Sequence, residues 1–403
     1  MEKEKNNFRW LVVILLMMNI FAVYLSINSI PPLFKEIGDK IPITKTDMGM
    51  IMGVTIFASL FLSLIGGGIS DKIGSKWALG ASVIIVAISG ALRSTVESLN
   101  GLLVYMFLIG AGLAIIGPNV PKIIGMWFPP KELATASGIC MVGMGLAGAV
   151  GMGTAAGVLS PAMGGWRNVM VALGGFTLVI GILWISLYKD VDINTNEEKE
   201  KQNIRENFKQ VFAVKDIWWA AVFYGLNMVG MMSVITLLPT TLIEQGITES
   251  RAGALVGIML GVATAFKIVG GILSDRVGRR KPFLIISAIV QGICFIVLPF
   301  ISGIPLITAL IIAGAAIGTI VPVFLVLPVE IAGIGTALAA TAGGLIFMIG
   351  NLGGFLGPIV AGKVMDLTRA NWPGFIFMGT SLIIAGFCIF PIRETGQRKK
   401  HKN

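Results

Sequence analysis

The chain has 403 residues and a formal net charge of +10, with 55% hydrophobic and only 13% charged residues. Soluble domains carry about 25% charged residues, so too few polar groups are present to cover a water-soluble core, and lipid must solvate most of the surface. One histidine, His401, and three cysteines scattered through apolar runs (Cys140, Cys294, Cys388) exclude a histidine catalyst, a metal site or a redox pair; no cofactor is expected.

"MEKEKNNFRW" leads into an apolar run too long for a signal peptide, with no small-residue cleavage site after it, so it opens the first membrane helix. Crossing a hydrocarbon core of ~30 Å takes about 20 apolar residues in a helix. Twelve such runs occur, at roughly 10–34, 46–70, 77–96, 100–126, 132–160, 166–188, 216–243, 250–273, 281–300, 304–328, 332–362 and 372–391. The fold class is therefore an all-α membrane protein. With both termini on one side, the loops of that side hold 21 lysines and arginines and the opposite loops 8. The positive-inside rule then puts both termini in the cytoplasm of a multi-pass cytoplasmic-membrane protein. The basic balance is a topology signal and not a nucleic-acid footprint.

Between spans two and three lies "GGGISDKIGSKW" (66–77), a glycine-rich charged turn in an apolar chain. Gly66, Gly67 and Gly74 permit tight turns and close helix approach. Asp71 sits at a membrane boundary and needs a partner, such as Lys72, Lys76 or a helix N-terminus. A near twin, "GGILSDRVGRRK" (270–281), carries Asp275, Arg276, Gly278, Arg279 and Arg280 between spans eight and nine. At a nearly constant offset Asp71 pairs with Asp275, Gly49 with Gly253, Pro31 with Pro239, and Glu132 with Glu330. These matches in order along the chain mean a duplicated six-helix unit. The halves are expected at 1–188 and 216–403, joined by the polar stretch 189–215. Within that linker Ile204, Phe208, Val211 and Phe212 share one face of an expected amphipathic helix. Parallel repeats of this kind place a substrate site near the bilayer midplane.

Charges inside spans cost ~2.5–3.5 kcal/mol on insertion scales and mark function by default. Two occur, Lys122 in span four with Asn119 three residues before it, and Lys267 in span eight with Thr264 three residues before it. Snorkelling of either arm to the interface is the competing explanation. Tyr24, Asn28, Tyr224, Asn227 and Asn351 are further polar candidates within spans, each equally able to serve as a packing hydrogen bond. No aspartate or glutamate lies deep within a span. Lysines without a buried acid point to an anionic solute, driven by exchange, by uniport, or by symport of a proton with the solute itself. A coupled proton or counter-anion, the lipid bilayer and a small molecule are thus the expected partners of a monomer.

Both charged turns resemble the G-x-x-x-D-[RK]-x-G-[RK]-[RK] loop of the major facilitator superfamily, in the two places where that family carries it. "PIRETGQRKK" (391–400) is similar to the segment following span twelve in its members. The resemblance implies two six-helix bundles moving by alternating access, with Asp71 and Asp275 and their basic neighbours latching the cytoplasmic side. "GNLGG" (350–354), "GPNVPKIIGMWFPPKELATASG" (117–138) and "GGWRNVM" (164–170) resemble the nitrate and cyanate permease branches. Those nitrate carriers pair arginines in spans two and eight; here span two has no basic residue and span eight has Lys267. A small organic anion, held by a lysine with hydroxyl or amide groups, fits that departure. The other reading left open is a proton-coupled exporter of hydrophobic or cationic compounds, although Gly357-Pro358 in span eleven, not span five, is the available Gly-Pro. No cluster of catalytic residues points to an enzyme.

Overall fold

The computed structural model describes residues 2–129, 132–190 and 204–396. Residues 191–203 of the expected linker, Pro130 and Lys131, and the basic tail from 397 with His401 lie outside the described residues. Twelve long helices follow the apolar runs: α1 (Glu2–Asn28), α2 (Lys45–Ile73), α3 (Ser75–Leu92), α4 (Leu99–Trp127), α5 (Leu133–Thr154), α6 (Trp166–Leu187), α7 (Lys215–Glu244), α8 (Glu249–Val277), α9 (Lys281–Val297), α10 (Gly303–Glu330), α11 (Gly335–Thr368) and α12 (Trp372–Cys388). Eleven of the spans are long and apolar enough to cross a membrane, while α12 is apolar but shorter. Helices dominate because lipid offers backbone groups no hydrogen bonds, so each segment must satisfy its own.

The chain divides into two compact units, one of residues 1–43, 50–194 and 242–257, the other of 44–49, 195–241 and 258–403. Each repeats the same internal pairings. In the first, α3 packs on α4 and α6; in the second, α9 packs on α10 and α12. Small residues make these contacts close. A Cβ at Gly174 of α6 would lie 2.8 Å from the Ala87 carbonyl oxygen of α3, and one at Gly292 of α9 would lie 2.6 Å from the Gly379 carbonyl oxygen of α12.

Three sequence expectations are changed. The charged turn is mostly helix: α2 runs through Gly66, Gly67 and Asp71 to Ile73, and α8 runs through Asp275 to Val277. The reversals are left to Gly74 and Gly278, at φ +83° and +66°, a region glycine enters without steric cost. Glycine inside a membrane helix is tolerated because neighbouring helices compensate, which is why a glycine run did not break α2. The linker helix forms over Ile204–Ala213, but only part of its expected apolar face is covered. Val211 is buried, in one core cluster with Ile331, Ile334 and Leu338. Phe208 and Phe212 stay 42% and 47% exposed, touching each other and, through Phe212, Trp218. Finally, α11 runs six residues beyond the expected 362 and brings Asp366 to the first turn of α2, where it accepts from the Thr46 amide at 2.8 Å and the Thr46 hydroxyl at 2.6 Å. That carboxylate neutralises a helix N-terminus.

The three cysteines are free and buried. Just past α6, Tyr188 stacks on Trp184 with ring centroids 4.2 Å apart and accepts from Trp127 Nε1 at 3.4 Å. Burial pushes its phenol up to about 12, so it stays neutral at physiological pH.

The packing predicts a contrast between two helical glycines. Gly292→Ala meets backbone at 2.6 Å and is expected to cost about 1–3 kcal/mol, lowering the melting temperature of the purified protein. Gly67→Ala meets nothing within 4 Å and is expected to leave the melting temperature unchanged or raised.

Candidate functional site

The first copy of the charged loop is organised by Lys122. Its Nζ lies 2.7 Å from Asp71 Oδ1 and donates to Ser70 Oγ at 3.3 Å. Ser70 Oγ in turn donates to Asn119 Oδ1, and Asn119 Nδ2 donates to the Ile115 carbonyl at 2.7 Å. The i, i+3 spacing of Asn119 and Lys122 does put both on one face of α4. They face the end of α2, and Asp71 answers the Lys122 charge. Lys72 is exposed and makes no ion pair among the described residues, while Lys76 lies with its Nζ 5.8 Å from the Trp77 ring centroid. Gly74 passes beside Asp190, whose carboxylate accepts from the Lys76 amide at 3.2 Å.

The second copy is a larger network built on Arg280, whose side chain is 10% exposed. Nη1 donates to Asp275 Oδ1 at 2.6 Å and to Ser274 Oγ at 3.0 Å; Nη2 reaches Glu330 Oε1 of α10 at 3.2 Å. Burial works against the guanidinium charge, but hydrogen bonds and charge from Glu330 and Asp275 outweigh it and hold the pKa above its ordinary value. Glu394, in the segment after α12, accepts from the Arg280 amide at 2.7 Å and the Lys281 amide at 3.2 Å, capping α9. Arg276 and Arg279 are exposed, without an ion pair among the described residues. The two copies therefore differ. The Asp71–Lys122 pair is open to solvent, 64% and 37% exposed, whereas Arg280 is 10% exposed and bridges two acids.

The candidates within the spans separate. Thr264 donates back to the Leu260 carbonyl at 2.8 Å and accepts nothing from Lys267. Lys267 is half-buried on α8, and its ammonium has no hydrogen-bond or ion-pair partner among the described residues. On α7, Tyr224 stacks on Phe324 with centroids 4.8 Å apart and presses against Gly350, next to Asn351 on α11. One turn on, Asn227 is 2% exposed, and its Nδ2 finds no acceptor. Asn351 is exposed. Asn28 donates to the Tyr24 carbonyl at 2.9 Å, while the Tyr24 ring lines a cavity in the first unit.

Some functional residues were not singled out from sequence. Ser70 and Glu394 carry no pattern of their own. Glu330 was visible only as the repeat partner of Glu132. Arg93 had the strongest signal, an arginine closing an apolar run. It is fully buried at the end of α3, donating to the Gly90 carbonyl at 3.2 Å, the Ser26 carbonyl at 3.1 Å and the Ser26 hydroxyl at 2.6 Å. Helix C-terminal carbonyls take the place of a counter-ion there.

Two repeated six-helix patterns, glycine-pivoted charged loops and a membrane cation without a partner among the described residues define a polytopic solute carrier. The family model of the Major Facilitator Superfamily matches residues 12–358 and 221–403, and the chain belongs to that family. It is a membrane transporter and not an enzyme. A protein named "Probable nitrate transporter NarT" from Staphylococcus carnosus (strain TM300) is 26% identical over 393 residues, covering 96% of each chain. Another of the same name, from Staphylococcus aureus (strain N315), is 25% identical and covers 99% of this chain and 98% of its own. A bacterial homologue of the human lysosomal transporter Spinster, solved inward-facing and occupied, shares the fold with a TM-score of 0.82 at 16% identity, over 95% of this chain and 96% of its own.

The two loop networks predict unequal losses. Lys122→Ala breaks an exposed pair and is expected to change stability by about 1 kcal/mol or less. Arg280→Ala strips two acids of their shared donor and is expected to cost about 2 kcal/mol or more. Melting temperatures of the two purified variants, compared with the parent, read the order directly.

Proposed function

We propose that this chain is a secondary transporter that moves a small anion across the cell membrane by alternating access of its two six-helix halves, 1–188 and 216–403, with both termini cytoplasmic. The observation that carries the reading is Lys267. An ammonium in a membrane helix is expensive without an acceptor, and Lys267 has none among the described residues. Asn227 in the same unit adds a buried amide donor with no acceptor. Two donors in want of acceptors suit an anion, which is all acceptor, and the names of the NarT relatives agree with that charge. Lys122 is less suited to hold the solute, because Asp71 already neutralises it. Asp71 and Asp275, with their cationic partners, would latch the cytoplasmic side. No acid lies deep in a span to load and unload a proton, so coupling falls to exchange or to a proton that travels with the solute.

Uptake of nitrate and of small carboxylates into proteoliposomes tests this reading. Lys267→Ala is expected to lower initial rates at least tenfold with folded yield unchanged, and Lys267→Arg to retain part of the rate. Full rates in Lys267→Ala would remove that ammonium from the site. Stabilisation and uptake confined to cations or neutral solutes would overturn the anion reading.

A further inference from the structure

The first unit holds a cavity of about 180 Å³, open at one side, among α1, α2, α4 and α5. Its walls are apolar, with Ile116 from α4 and Met141 and Met144 from α5. Among the described residues no charged side chain lines it. Its two side-chain polar groups are the hydroxyls of Tyr24 on α1 and Ser59 on α2, and neither has a hydrogen-bond partner among the described residues. For Ser59 this is unusual within the chain. Hydroxyls in these helices commonly fold back on the preceding turn, as Ser29 does to Leu25 at 2.7 Å, Thr177 to Leu173 at 2.8 Å and Thr236 to Met232 at 2.8 Å. Ser59 leaves its preceding carbonyls alone and keeps its proton for something else.

Size and chemistry together select the occupant. An apolar cavity of about 150 Å³ takes benzene, so this one matches a body of roughly six or seven non-hydrogen atoms. Nitrate, with four, would leave it underfilled and has no apolar body to pack against the walls. Methionine side chains adapt to varied apolar shapes. Resting on the reading of the chain as an anion transporter, we propose that the cavity is a second seat, additional to the one at Lys267, that takes the apolar body of a small organic monoanion, with Tyr24 and Ser59 donating hydrogen bonds to its carboxylate. The preferred solute is then a monocarboxylate of about six carbons. Gly117 sets the space: it lines the cavity, and a Cβ there would meet nothing within 4 Å.

The test measures binding to the purified full-length protein in nanodiscs for linear monocarboxylates from formate to octanoate, with nitrate, hexanol and hexanamide as further probes. Each added methylene is expected to tighten binding about fourfold until roughly six carbons, with no gain beyond. Gly117→Val is expected to keep the ligand-free melting temperature and abolish the chain-length dependence. Met144→Ala, which enlarges the cavity, moves the optimum to a longer chain and serves equally if Gly117→Val does not fold. Tyr24→Phe weakens every carboxylate but keeps the dependence. Affinity independent of chain length in the parent protein, or an unchanged dependence in both cavity variants, overturns the proposal. Tight nitrate binding with no chain-length dependence would sink this inference and leave the anion transporter standing. Hexanol and hexanamide binding with no anion binding would sink both.

Discussion

A charge inside hydrocarbon must find an acceptor or donor of its own, and that constraint arranges most of what is specific about this protein. Three solutions appear. Asp71 and Lys122 neutralise each other where water still reaches them. Arg280 is nearly enclosed and is held by Asp275 and Glu330 together. Arg93 has no acid partner among the described residues and rests on the carbonyls and hydroxyl at the ends of α1 and α3. Against these, Lys267 stands out as an ammonium that the described protein leaves unanswered. On the proposed reading, that unanswered donor is where the solute's negative charge would rest.

Duplication supplied two copies of one loop, and the copies have drifted in a physically sensible way. Where the second copy has Arg279 and Arg280, the first has Ser75 and Lys76. Arginine offers a planar fork that can serve two carboxylates at once, and Arg280 does so. Lys76 cannot, and in the first copy the cation comes instead from α4, as Lys122. Glu394 then folds the segment after α12 onto the second loop by accepting from the Arg280 and Lys281 amides. The first loop has a weaker equivalent in Asp190, which accepts from the Lys76 amide at 3.2 Å. On the proposed mechanism, the first latch would be the easier of the two to release.

The apolar pattern made the spans legible, because burial in lipid demands long uninterrupted runs and leaves a strong trace. Local rules did less well wherever a neighbour could overrule them. The turn that read as starting at Gly66 comes only at Gly74, and Gly66 instead makes the expected close helix approach, a Cβ there lying 2.5 Å from the Ala114 carbonyl oxygen. Phe208, Val211 and Phe212 read as one apolar face of a surface helix; that helix forms, and of the three only Val211 belongs to the second unit's core cluster. Lys122 and Lys267 look equivalent along the chain, each with a polar residue three positions before it. Only the fold separates them, since Asp71 lies 51 residues from Lys122 in sequence and 2.7 Å away in space.

The sequence by itself determined the membrane class, the twelve spans, the duplication and the two charged loops, because each is written in composition or in short-range pattern. The pairing of those loops with α4 and α10, the burial of Arg93, the isolation of Lys267 and the cavity beside Tyr24 and Ser59 were decided only by tertiary structure. They depend on which helix faces lie together, and a single chain's local pattern carries no record of contacts between residues far apart along it.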